Sequence, residues 1–477
     1  MKKITIAIFI ITLLFSACDF EKYQVDPNRT NEAPPGLFLT NLIVSSFNNL
    51  DESAAQASRM MTWVDGQSSS QYYTWQRAGF GGYANILQTH QMIAEAERLA
   101  LPNYIALAKF FQAYHYYQLT MAFGDVPFSD ALKGSEANYV PAYDEQEDIF
   151  NGILTLLEEA NEELSSSEPE LVGDVLFAGD ISKWQKAINS FRLRVLLTLS
   201  EQDGTSSIDI SGQFASMIAD PATYPIIQSN EDNLALQHYD VAGNRYPFFD
   251  NQNMKVAYPL ETTFVELMKD RNDPRLFHIA EMNDLGTDPS DFASYGGLDG
   301  SASFEDFQAE FLSGVGSFPN LRYSEDPTTE PTVIMSFSEV QFILAEAVEL
   351  GWIAGSAETF YDAGISANME FYGVSSSDIS TYLTGGNVAY NTANGIEMIN
   401  TQKYLTYFLS SGWEAFYNQR RTGFPVFSAT DFNDGLIPTR WMYPQSELNL
   451  NTSSVNAAIE RQFSEGDNIN AKMWLLK

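Results

Sequence analysis

The chain is poor in the residues that most often do chemistry. Of its 477 residues only one is cysteine, Cys18, so no disulfide framework can form within it. It has only four histidines, His90, His115, His238 and His278, and none stands in an H-E-x-x-H or similar metal-ligand spacing. No G-x-S-x-G elbow, P-loop or G-x-G-x-x-G fingerprint occurs. Positive charge is scarce too: 26 Lys and Arg face 62 Asp and Glu, a formal net charge of −36. A field of that sign repels phosphate backbones and uniformly anionic polysaccharides, which removes nucleic acid from the partners and leaves neutral ligands open. Beyond the amino terminus no apolar run survives as a membrane span, since the stretch from Ile188 to Leu199 is interrupted by Arg192 and Arg194. The sequence therefore points away from an enzyme and implies no cofactor or metal.

What is present begins at the amino terminus. Lys2 and Lys3 precede an apolar stretch of about a dozen residues, which suits a signal-peptide core and falls short of the ~20 needed to span a bilayer. Leu14-Phe15-Ser16-Ala17-Cys18 then reads as a lipobox, with Cys18 as the lipidated first residue of the mature protein. The expected organisation is a signal peptide over 1–17 and a lipid-anchored tether over 18–35. A single helical domain over 36–477 follows, with a loop-rich insertion at about 200–331.

Apolar residues at helical spacing predict helices over Gly36–Leu50, Tyr83–Ala100, Asn103–Phe123, Glu145–Leu164 and Lys183–Ser200. Further helices are expected over Thr262–Lys269, Ser338–Leu350, Ser356–Phe371, Gly395–Ser410 and Gly412–Arg421. Strand alternation is scarce, so the fold class is mostly α. The clearest unit is Phe337–Gly373, where Ser338 and Gln341 form an expected capping box, with Phe337 and Phe342 as its staple. Glu339 falls in what reads as a solvated first turn. Ala345, Ala357, Tyr361 and Gly364 stand at tetratricopeptide offsets, where small residues let paired helices close. Asn103–Phe123 with Glu145–Leu164 forms a comparable pair. The acidic doublets Glu158/Glu159 and Glu162/Glu163 read as the charged face of an amphipathic helix rather than as glycosidase carboxylates.

The candidate ligand face lies in Trp63–Tyr83. Trp63, Tyr72, Tyr73 and Trp75 alternate with Asp65, Gln71 and serines in a segment with no helical stripe to bury rings. Sugar binders use aromatic platforms beside amides and carboxylates, so these six residues are the expected ligand contacts. Tyr246–Asn253 and the surroundings of Tyr295 are secondary candidates.

Six segments together resemble the SusD/RagB family, in its SusD-like branch: DPNRTNEAPP at 26–35, FGDVPFSDAL at 123–132, RNDPRL at 271–276, SFSEVQFILAEAVELG at 336–351, EAFYNQRRTGFP at 414–425 and RWMYPQSELNLN at 440–451. The resemblance implies tetratricopeptide-like hairpins forming a scaffold, with a loop-rich insertion that carries the ligand face. It also implies an outer-membrane lipoprotein exposed at the cell surface. Such a protein captures a glycan, or alternatively a peptide, and passes it as a lid to a SusC-like TonB-dependent barrel. A helical-repeat scaffold that binds only proteins is the reading from a different class.

Overall fold

In the computed structural model, which describes residues 32–164 and 171–477, helices follow one another for most of the chain. The expected signal peptide, the lipidated Cys18 and most of the tether lie outside the described residues. Helix α1 (Pro35–Phe47) starts on a proline at its first turn, where the missing N–H costs nothing. Helices α2 (Gly82–Leu99), α3 (Pro102–Phe123), α4 (Gln146–Glu163) and α5 (Ile181–Thr198) then pack each against the next. Helix α3 is buried nearly all round, because α2 covers one side and α4 the other. It stops at Gly124, whose φ of 87° an L side chain adopts only under strain.

The hairpin expected near Phe337 is formed by α6 (Phe337–Glu349) and α7 (Ala357–Phe371). Its small residues work as their spacing suggests. A Cβ on Gly364 would stand 2.9 Å from the Phe342 ring, and the Ser338 hydroxyl donates to the Gly364 carbonyl at 2.7 Å. The Tyr361 ring lies 6.2 Å from Phe342, centroid to centroid, and its hydroxyl donates to the Val388 carbonyl. The hairpin is extended by α8 (Ser376–Leu383), α9 (Gly395–Leu405) and α10 (Glu414–Thr422). One hydrophobic core runs through all of these helices.

Two expectations about the start of α6 are corrected. The cap is Ser336, which accepts from the Glu339 N–H at 3.1 Å, rather than Ser338. Ser336 directly follows the short strand β2 (Thr332–Met335), so its backbone is already extended as a cap requires. Strand β2 pairs antiparallel with β1 (Leu234–Leu236). Glu339 is not solvated: its side chain is 1% exposed and takes a two-pronged ion pair from Arg194 of α5, at 2.7 and 2.6 Å. A helical wheel gives Glu339 no buried neighbour, because that neighbour comes from another helix.

The same interior holds Glu414, 4.0 Å from Arg194, and the pair Arg421–Glu346 at 2.6 Å. Lys403 completes the network; burial pushes its ammonium down to about 8, and it reaches Asn418 at 3.2 Å. Arg420 donates to the carbonyls of Met121 and Thr439. The arginine pair of the EAFYNQRRTGFP segment is therefore structural. Of the acidic doublets, Glu158 meets Arg192 and Tyr224, and Glu159 and Glu163 both meet Lys109.

The insertion contains more helix than its composition suggests. Besides Thr262–Lys269, helices form over Ile210–Ala219 and Phe304–Leu312, the latter capped by Ser303. Asp273 and Arg275 of the RNDPRL segment form a fully buried ion pair at 2.5 Å. Arg275 also donates to Asn368 and Gln402, which ties the insertion to the hairpin scaffold.

Candidate functional site

After the short helix Glu52–Ala57 the chain runs beside residues 257–260 of the insertion. The Thr62 N–H donates to the Pro259 carbonyl at 2.8 Å, and the Val64 N–H to Ala257 at 3.1 Å. That register sets Trp63 against Tyr258, with ring centroids 4.9 Å apart and planes tilted by 42°. Both rings are half-buried; Trp63 rests on a small separate core of Val64, Ala257, Leu298 and Phe307, and Tyr258 on the edge of the main core. Asp65 and Gln67 beside them are exposed. The Trp63 N–H donates to Gln71 Oε1 at 2.7 Å, so Gln71 holds the backbone of that strand-like stretch in place.

The other rings of the segment turn inward, against the expectation that all four stand exposed. Tyr73 is fully buried: its hydroxyl donates to the Ala57 carbonyl at 2.9 Å, and the Arg59 guanidinium lies 4.4 Å above its ring. Burial pushes its phenol up to about 12. Trp75 donates to the Arg440 carbonyl at 3.0 Å and stacks on Trp441 at 5.1 Å, with Trp413 and Phe416 edge-on. Tyr72 is 2% exposed, with Phe432 edge-on at 4.7 Å as its outer cover. Gln71 is buried as well. The structure thus leaves Trp63 and Asp65 of the six at the surface. It adds Tyr258, which the sequence reading did not name. Tyr258 carries no local signal of its own, since only the pairing with residues 62–64 brings it to Trp63.

Of the secondary candidates, Tyr246–Asn253 is mixed, with Pro247, Asp250, Gln252 and Asn253 exposed. Tyr246 and Phe248 are buried, and the Tyr295 hydroxyl donates to the Pro289 carbonyl at 2.9 Å. Under the Trp63 surface, Glu261 accepts from the Thr263 and Gly300 N–H groups, and burial pushes its carboxyl up to about 7. His115 is buried against Ser46 at 3.0 Å and pushed down to about 3 by burial, while His90 meets Gln112 at the surface. Among the described residues no three His, Cys, Asp or Glu side chains converge on a metal-holding group. No helix among them is long and apolar enough to cross a membrane.

Paired helical hairpins in a mostly helical chain define the scaffold class. The chain belongs to the SusD-like family: the family model described as starch-binding associating with outer membrane matches residues 27–444. A SusD homologue of Bacteroides fragilis NCTC 9343 is 39% identical, with a TM-score of 0.87 over 94% of this chain and 100% of that one. A second homologue from the same organism is 31% identical, with a TM-score of 0.86 over 93% and 100%. A chitin-binding protein is 25% identical, with a TM-score of 0.76 over 93% and 100%. No curated protein matches the sequence.

Proposed function

We propose that the protein captures a neutral oligosaccharide at the outer membrane. It delivers the ligand, as a lid, to a SusC-like TonB-dependent transporter and breaks no bond in it. The observation that carries this reading is the family match over residues 27–444, whose description names starch, an uncharged glycan. The likeness to a chitin-binding protein supports the same ligand class. The net charge of −36 agrees, because it penalises anionic polymers and is indifferent to neutral ones. Lipidation of Cys18, after removal of residues 1–17, supplies the anchor in this reading.

The ligand stacks on Trp63 and Tyr258, with Asp65 accepting from its hydroxyls. Tyr72 and Gln71 lie one layer below, and the Tyr72 hydroxyl and Gln71 Nε2 are buried without a well-formed partner. Tyr73 and Trp75 serve as the wall behind them.

Titration calorimetry with starch- and chitin-derived oligosaccharides tests this site. Trp63→Ala should weaken binding by roughly 1–3 kcal/mol. A Trp63→Ala, Tyr258→Ala double variant that binds every such glycan at full strength rejects it. For the anchor, Cys18→Ala should leave the detergent phase on phase separation, and its full retention there rejects lipidation. Co-purification with a TonB-dependent barrel from outer membranes tests the lid.

A further inference from the structure

Where the insertion meets the far end of the α6–α7 hairpin, the surface opens into a groove of two adjoining lobes, about 480 and 580 Å³ in volume. Each falls within the roughly 300–1,000 Å³ of small-molecule sites. Phe277, His278 and Gly373 line both lobes, and neither includes Trp63 or Tyr258.

The groove is built rather than incidental. The buried Asp273–Arg275 pair, held by Asn368 and Gln402, fixes the turn that starts the short helix Leu276–Ile279. Phe277 on that helix packs on Phe292 at 4.5 Å and on Tyr295 at 5.5 Å, so its ring is held while Phe277 and Phe292 stay half-exposed. On the opposite wall the chain leaves α7 through Gly373, at a φ of 73°.

The polar side is equally fixed. Arg322 lies 4.2 Å over the Tyr323 ring. Its Nε donates to the His278 carbonyl, Nη1 to Thr329, and Nη2 to both the Tyr323 hydroxyl and Glu330. A guanidinium has five N–H groups, so one on Nη1 is left for a ligand. The Arg322 side chain is 28% exposed and thus within reach of one. The Glu330 carboxyl pairs with Arg322 at 2.8 Å and serves as an acceptor. Arg322 balances Glu330 in one lobe, as Arg271 balances Asp378 in the other, which leaves no net charge to select an ion.

Half-exposed flat rings beside a rigid donor and a carboxyl match a sugar, with its apolar C–H faces and its rim of hydroxyls. An extended peptide would look for an open strand edge, and neither lobe offers one: their linings come from helices and turns, with the chain entering β2 only through Pro331. We infer that this groove is a second site for a neutral oligosaccharide, with a sugar ring against Phe277 and Phe292 and its hydroxyls on Arg322 and Glu330. The ligand class rests on the function proposed above, whereas the location rests on the groove alone.

Hydrogen exchange with maltoheptaose and with N-acetylated chitohexaose tests it on the full chain. Protection is expected over residues 276–280, 320–331 and 371–378, both in the natural protein and in Trp63→Ala. Phe277→Ala should abolish that protection and weaken the groove's affinity about tenfold. If Phe277→Ala does not fold, Phe292→Leu keeps the bulk and removes a ring face, and should weaken it about threefold. Protection confined to residues 61–75 overturns the groove and leaves the proposed function standing. Protection by neither glycan overturns both, as does protection of the groove by a neutral peptide alone. Groove protection that survives in both phenylalanine variants also overturns the inference.

Discussion

The α6–α7 hairpin and the Trp63–Trp75 segment both bury aromatic rings, but against walls at very different distances along the chain. In the hairpin, Ser338 bonds Gly364 only 26 residues away, and Phe342 meets Tyr361 and Gly364. The repeat of apolar and small residues therefore contains both sides of the contact. Trp75 donates to Arg440, 365 residues further on, and its ring is enclosed by Trp413, Phe416 and Trp441. Nothing within the segment announces that wall. A polar, aperiodic stretch studded with rings reads as an exposed face, and Tyr72 and Trp75 are interior because distant parts of the chain fold over them. Glu339 teaches the same lesson from within the hairpin, since its partner Arg194 comes from α5.

The largest effect expected from this comparison is at Glu339. Glu339→Ala leaves the buried Arg194 guanidinium with the Ile334 carbonyl and the more distant Glu414 as its partners. Breaking a buried pair in this way typically costs about 3–5 kcal/mol. Adding Arg194→Met should restore most of that loss, as urea unfolding would reveal. A cost under about 1 kcal/mol for the single variant would mean that Glu339 is solvated after all. Next, Trp75→Ala should cost about 3–5 kcal/mol by emptying an enclosed site. Trp63→Ala, half-exposed, should cost about 1 kcal/mol. Equal melting shifts for the two tryptophans would erase the distinction between the wall and the face. Leu344→Ala, mid-stripe in the hairpin, should fall at about 2–5 kcal/mol.

The smallest effect is a pH dependence carried by buried carboxyls. Burial pushes Glu261 and Glu330 up to about 7 and Asp125 up to about 6, above the ~4 of an unfolded carboxyl. Between those values the folded chain holds more protons than the unfolded one. Stability from these groups is therefore complete below about pH 4 and is lost as pH rises through 6 to 7. Relief of the excess negative charge acts in the same direction. The melting temperature should rise by roughly 1–3 °C from pH 7.5 to pH 5.5, and Glu261→Gln should shrink the rise. A melting temperature that falls over that interval would show that paired carboxylates such as Glu346 dominate instead.

Much of the scaffold was legible in the sequence. The α2–α5 helices, the hairpin and the helix stop at Phe123-Gly124 follow from apolar spacing and from one glycine in a left-handed turn. The family segments located the structural arginines and the fold around them. The cap of α6 was misplaced by two residues, because Ser336 and Ser338 have equal spacing to a Glu or Gln. Only the end of β2 decides between them. The short helix Phe304–Leu312 was hidden by its Gly- and Asp-rich flanks. At the candidate face, Trp63 and Asp65 were named and stand at the surface, whereas Gln71, Tyr72, Tyr73 and Trp75 were named and lie inside. Tyr258, Phe277 and Arg322 were not named, because none sits in a local pattern.

By itself the sequence determined the helices, their pairing at tetratricopeptide offsets, the acidic field and the family, since each is written in neighbouring residues or in summed charge. Tertiary structure alone decided which rings face water, which carboxylates are neutralised and where concave surface remains. Those properties depend on what the rest of the chain places within a few ångströms of a side chain, and hydrophobic spacing reports only the neighbours a residue has along its own helix or strand.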